Sequence, residues 1–290
     1  VIARPRRRPR IGHILLAFAG LALLLFAFAA VAQQAHAAAF RPCVDPNNLP
    51  FSDAKGEGYE NRIAELFGRS LGIPVKSYQH PMRMNFVRNT LRYKLPDQDY
   101  PCDVLMNVPA EFDQAWVTAP YYRSTYVLVY RKGGKLEGVT SGDALFDTFR
   151  DAKARPVVGI FDRSPASAWL ARHGWEEQAR VYHMLSADPE DYPGEIIARD
   201  LVHGTIDAAV VWGPIGGYFA KRSAQPLVVV PLRSEPGVRF DYDMAMGVRY
   251  GDREWKGVVE RLIVENKAAI TAILREYNVP LLDARGELLE

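Results

Sequence analysis

Catalytic signatures are what this 290-residue chain lacks most plainly. It has no G-x-S-x-G elbow for an activated serine and no H-E-x-x-H pair for a zinc hydrolase. It has no Walker sequence, and Gly56-Glu-Gly58 is short of the third glycine of a dinucleotide loop. His80, His173, His183 and His203 are scattered without metal-ligand spacing. Charge of one sign is missing too. The 36 basic and 34 acidic residues nearly cancel, which gives no reason to expect a nucleic-acid partner. Beyond the first 39 residues no apolar run is long enough to span a bilayer. Cysteine is nearly absent, with only Cys43 and Cys102, so at most one disulfide can form. No enzyme and no bound cofactor is expected from this inventory.

What is present begins with an export pattern over residues 1–39. Arg4, Arg6, Arg7, Arg8 and Arg10 precede an apolar run from Ile14 to Ala32. Ala35-His-Ala37 and Ala37-Ala-Ala39 then offer small-x-small cleavage sites. An uncleaved anchor is the rival reading. Cleavage after about Ala37–Ala39, following Sec export to the periplasm, fits the alanine-rich run better. Removing those five arginines leaves 31 basic against 34 acidic residues, a net charge of −3. In an oxidising compartment Cys43 and Cys102 are free to pair. Both sit at the start of strand-like segments, Phe40–Val44 and Cys102–Met106, and two adjacent parallel strands can bring them within bonding reach.

Strand-like and helix-like segments alternate along the rest, which predicts an α/β fold. A helix is expected over Gly58–Leu71, where Ile63, Leu66, Phe67 and Leu71 share a face. A second is expected over Ser164–His173, with Ser164 as N-cap and Pro165 at the first helical position. Tyr121–Arg131 reads as a long strand and Trp255–Tyr277 as one long amphipathic helix. The order suggests two lobes, each a mixed sheet flanked by helices and joined by two hinge crossings. Lobe one is expected over 40–131 plus 228–290 and lobe two over 135–225. Such a protein closes around a ligand held in its cleft, and a monomer is expected.

Polar and aromatic candidates gather where the strands should meet that cleft. They are Asp45, Asn47, Asn48, Phe51, Asn107, Tyr121, Tyr122, Arg123, Arg163, Trp169 and Trp212. Aromatic walls with a few polar groups suit a planar ligand or a protruding peptide. Tyr121, Tyr122 and Trp212 equally fit hinge and core packing. Met82-Arg-Met84 and Met244-Ala-Met246 are more simply core filling than a soft-metal site. Asp241-Tyr-Asp243 falls far short of a calcium loop.

Several segments resemble known proteins. Ala119-Pro-Tyr-Tyr122 and Gly204-Thr-Ile-Asp-Ala-Ala-Val-Val-Trp-Gly-Pro214 resemble the hinge and second-lobe strand of family-three periplasmic solute-binding proteins. Cys43–Ser52, Gly56–Asn61, Ala119–Ser124 and Val211–Pro214 together resemble the J proteins of methanol dehydrogenase operons, the MxaJ/XoxJ type. The resemblance implies a type II periplasmic-binding-protein fold. It also implies a periplasmic partner, a PQQ-dependent methanol dehydrogenase or its cytochrome c, whose maturation or activation the protein assists. Amino-acid-binding relatives pair the ligand carboxylate with an arginine, where Glu111 stands here, and its ammonium with an acid, where Trp212 stands. Free amino acids are therefore expected to be poor ligands, with Glu111 repelling their carboxylate. The alternative function is a transport receptor for a small, planar, PQQ-like compound.

Overall fold

The computed structural model describes residues 39–82, 84–151, 153–184, 188 and 190–289. The expected export signal and cleavage pattern lie outside the described residues. Among the described residues no helix is long and apolar enough to cross a membrane.

Strand β1 (Pro42–Val44) feeds a short hairpin, β2 (Asn47–Asn48) with β3 (Ser52–Asp53). The Ser52 hydroxyl donates to the Asp45 carbonyl (2.9 Å) and accepts from the Asp45 N–H (3.2 Å). One side chain thus satisfies both buried backbone groups at the strand's end. Helix α1 (Tyr59–Leu71) follows at once, with Gly58 as its N-cap. A Cβ on Gly58 would stand 2.1 Å from the Phe51 carbonyl oxygen, so only glycine lets hairpin and helix approach this closely. As the periodicity predicts, Ile63 and Phe67 are fully buried, while Leu66 and Leu71 pack at the edge of the same core.

The chain then gives β4 (Tyr78–Gln79), α2 (Phe86–Asn89), β5 (Val104–Pro109), β6 (Trp116–Val117) and β7 (Tyr122–Arg131). Next come α3 (Gly142–Thr148), β8 (Val158–Phe161), α4 (Pro165–Arg172), β9 (Ala179–Tyr182) and a π-helical turn (Ile196–Leu201). Then follow β10 (Ala208–Trp212), α5 (Gly213–Arg222), β11 (Leu227–Pro231), β12 (Asp241–Val248), α6 (Arg253–Glu265) and α7 (Lys267–Glu276). Strands run side by side in the order β4-β1-β5-β12-β7-β10-β8-β9, with β6 added on β12 and β11 on β7.

Strand β7 makes this order two-lobed. Its first residues, Tyr122–Thr125, pair antiparallel with β12. From Tyr126 onward it pairs with β10 and then β11. Either side carries its own apolar core. One gathers Phe40, Phe67, Met106, Met246, Trp255 and Leu274. On the other side Leu128, Leu145, Ile160, Trp169 and Phe240 cover one face of the sheet, and Val129, Ile197, Ala209 and Ile215 the opposite face. Val228, Val230, Leu232 and Val238 also pack with the Leu145 and Trp169 core. Cys43 and Cys102 form a disulfide, Cα atoms 5.2 Å apart, beside the parallel β1/β5 ladder.

Two elements depart from the sequence reading. The expected helix over Trp255–Tyr277 is two helices, divided at Asn266, whose side-chain amide donates back to the Leu262 carbonyl (2.9 Å). Helix α5 was not foreseen, because Gly213-Pro-Ile-Gly-Gly217 is poor in helix-forming residues. Its glycines serve close packing instead. A Cβ at Gly216 would meet Val127 at 2.3 Å, and one at Gly217 the Asn278 carbonyl at 1.9 Å.

Candidate functional site

The carboxyl end of β1, the hairpin, β10 and the loop after β9 surround a cavity of about 330 Å³. Six of the sequence candidates come together in its wall: Asp45, Asn47, Asn48, Phe51, Asn107 and Trp212. Asp45 is fixed by accepting from the Asn47 N–H (2.8 Å) and from the Met82 N–H. Asn47 reaches across the mouth and donates from Nδ2 to the Glu190 carbonyl (3.0 Å). Trp212, at the end of β10, packs edge-on against Tyr126 with ring centres 5.4 Å apart. Phe51 lies 5.5 Å from Tyr59.

Asn107 is held from behind. Its Nδ2 donates to the Tyr59 hydroxyl (3.1 Å), and its Oδ1 accepts from the Tyr122 hydroxyl (3.0 Å). The two hydroxyls are themselves 3.0 Å apart. Burial above all drives both tyrosines above the usual phenol range, so they are neutral hydrogen-bonding struts. Tyr121 likewise turns inward and donates to the Met106 carbonyl (2.9 Å). Tyr121 and Tyr122 therefore back the cavity and do not line it.

Three further candidates stand apart from the wall. Arg123 pairs with Asp241 on the neighbouring strand, with Asp243 at 3.8 Å. That uses the Asp241-Tyr-Asp243 carboxylates as its counter-ions. Arg163 is exposed, in a left-handed turn (φ 58°) after β8. Trp169 is a correction. It has no exposed surface, and its indole N–H donates to Glu235 (2.8 Å). One turn into α4 from Pro165, it faces the sheet and not the cleft. Glu111 is a second correction. More than half exposed, it pairs with Arg239 at 2.8 Å and is absent from the wall, so it repels nothing there.

Sequence reasoning missed Tyr126, Phe161, Tyr192, Ile215 and, above all, Glu60, which all line the cavity. Glu60 is only 7 % exposed. Its burial, with the neighbouring Asp45 charge second, pushes the carboxyl up to about 8. Glu60 sits in Gly56–Asn61, a segment singled out only for its likeness to other chains. Among the described residues no group of three His, Cys, Asp or Glu side chains could hold a metal.

A long strand shared by two lobes, with a polar-aromatic cavity between them, defines a two-lobed periplasmic binding protein of type II. No protein-family model matches the chain. Protein MoxJ of Paracoccus denitrificans is 29% identical over 278 residues, spanning 91% of this chain and 95% of its own. The crystal structure of the periplasmic binding protein XoxJ from Methylobacterium extorquens AM1 is 35% identical, covering 84% of this chain and 99% of its own, at a TM-score of 0.68. That of MxaJ from Methlophaga aminisulfidivorans MPT is 20% identical, covering 84% and 100%, at 0.69, and speaks for the fold alone. The chain belongs to the MoxJ/XoxJ-type periplasmic binding proteins, a membership that implies a periplasmic location.

Proposed function

We propose that this protein is a non-catalytic periplasmic accessory factor. It docks on a PQQ-dependent methanol dehydrogenase and assists its maturation or activation. The observation that carries the reading is likeness to XoxJ across 99% of that chain at 35% identity, since the MoxJ and XoxJ relatives associate the family with methanol oxidation. Residues 1–39 serve as the export signal on this reading. The lobes exchange the chain within β7 and again just before β12, because the second core draws on Val228 to Phe240.

The docking surface is the mouth of the cleft. Met82, read from the sequence as core filling, and Met184 are instead exposed there at 46 and 47 %. Methionine suits an adaptable apolar contact. An accessory factor shifts its partner toward a cofactor-competent conformation only by binding that conformation more tightly. The test is dehydrogenase isolated from a strain lacking this protein. Reduced PQQ occupancy and activity, restored by the wild type but not by Met82→Ser/Met184→Ser, is the expected result. Full occupancy and normal activity in the deletion strain would refute the reading.

A second reading, a small-molecule receptor for a membrane permease, is favoured by one observation: the cavity is walled and not flat. Co-purification with a permease instead of a dehydrogenase would put it ahead.

A further inference from the structure

The chemistry of the cavity wall is lopsided. Asp45 and Glu60 stand together on it, and among the described residues the only basic side chain in the wall is His183. No described residue hydrogen-bonds to the Glu60 carboxyl, although that side chain is more than nine-tenths buried. The carboxyl opens only onto the cavity, so a partner for it has to come from whatever the cavity holds. Around it stand π faces, Phe51, Tyr126 and Trp212 among them. The combination of a carboxyl and aromatic faces is how proteins recognise organic ammonium ions.

We propose that the cleft binds a small organic ammonium ion, an amine without a carboxylate, with its charged end on Glu60 and Asp45 and its apolar body against Phe51, Tyr126 and Trp212. An anionic quinone such as PQQ meets the wrong sign here, because its carboxylates would be set against Asp45 and Glu60. This goes beyond the docking reading and needs no dehydrogenase.

A proton is coupled to the event. The titratable groups that feel Glu60 are Asp45 from the turn after β1, Tyr59 beside it on α1, and Tyr121 and Tyr122 at the start of β7; Asp188, Asp191 and His183 in the loop after β9 line the same cavity. Burial and Asp45 keep Glu60 protonated near neutrality in the empty cleft. An arriving cation favours the carboxylate, so binding at pH 7 releases a proton and tightens as pH rises from 6 to 8.

Three probes of one shape and different charge test this on the purified mature protein: benzylamine, benzyl alcohol and benzoate. Calorimetry at pH 7 in two buffers of different ionisation enthalpy reads both affinity and proton release. Benzylamine should bind at least tenfold more tightly than benzyl alcohol and release a proton, and benzoate should not bind. Glu60→Gln should weaken benzylamine at least tenfold, abolish the proton release and leave benzyl alcohol unchanged. Asp45→Asn should weaken benzylamine in the same direction and covers the case in which Glu60→Gln does not fold. Benzoate binding as tightly as benzylamine, no benzylamine binding at millimolar concentration, binding without proton release, or unchanged affinity in the folded variants would each overturn the proposal.

Discussion

Glu60 makes a prediction about the protein alone, with no ligand present. Its carboxyl titrates at about 8 in the folded chain against an ordinary value of 4.5. Between those values the unfolded chain ionises Glu60 while the folded chain keeps it protonated. The folded state then holds the extra proton, so stability falls as pH rises through this window. At about 1.4 kcal/mol per pKa unit the loss is roughly 3 kcal/mol at pH 7 and approaches roughly 5 kcal/mol above pH 9. Glu60→Gln keeps the shape of the neutral acid and removes the ionisation. It should match the wild type at pH 4 and exceed it by ~3 kcal/mol at pH 7, which is roughly 6–12 °C in Tm for a chain of this size. Urea unfolding of both proteins at several pH values from 4 to 9 reads the difference directly. Parallel stability profiles would show that Glu60 is already ionised in the native cavity, and the argument from burial would fail.

Other expected outcomes follow from single contacts. The Cys43–Cys102 bridge closes a sequence separation of 59 residues, so replacing both by alanine should cost on the order of 4 kcal/mol of denaturant stability in the chain-entropy model. Unfolded, unreduced wild type should show no free thiol. Trp169→Ala removes a fully buried indole from the second core and should destabilise by about 3–5 kcal/mol. Trp212→Ala, at the cavity wall, should cost visibly less stability and instead weaken benzylamine. Equal denaturation midpoints for the two variants would contradict their assigned places.

Much of the fold was legible because local signals and global packing agree. Helix α1 sits where periodicity put it, within a residue or two, because Ile63, Leu66, Phe67 and Leu71 all face one core. Helix α5 was illegible for the opposite reason. Three glycines in Gly213–Gly217 argue against a helix on propensity alone. They are needed because β7 on one side and the Asn278 carbonyl on the other leave no room for a Cβ. Tertiary contact, not local preference, decides that segment. The break at Asn266 is of the same kind. Ser70 on α1 donates to the Asn266 side chain (3.1 Å), so the cap rests on a residue 196 positions away.

The site was legible only where a strand end fixes direction. Asp45, Asn107 and Trp212 close or nearly close strands, and open α/β sheets present their ligands at such ends. Trp169 misled because Ser164-Pro165 sets the start of α4 but says nothing about which face of that helix meets the sheet. Glu60 misled in the other direction. An acidic residue in the first turn of a helix reads as a favourable charge next to the helix dipole and solvent. It shares the cavity wall with Phe51, Met244 and the loop carrying Asp188 and Asp191, three separate parts of the chain that a reading of its own helix does not include. The same comparison changes the grounds for excluding amino acids. Glu111 is spent on Arg239 at the surface, so repulsion is not what keeps a carboxylate out. The obstacle is the wall itself, where Asp45 and Glu60 are met by no arginine or lysine among the described residues. A ligand carboxylate would lose its water there and gain no counter-ion, whereas an ammonium would exchange water for a carboxylate.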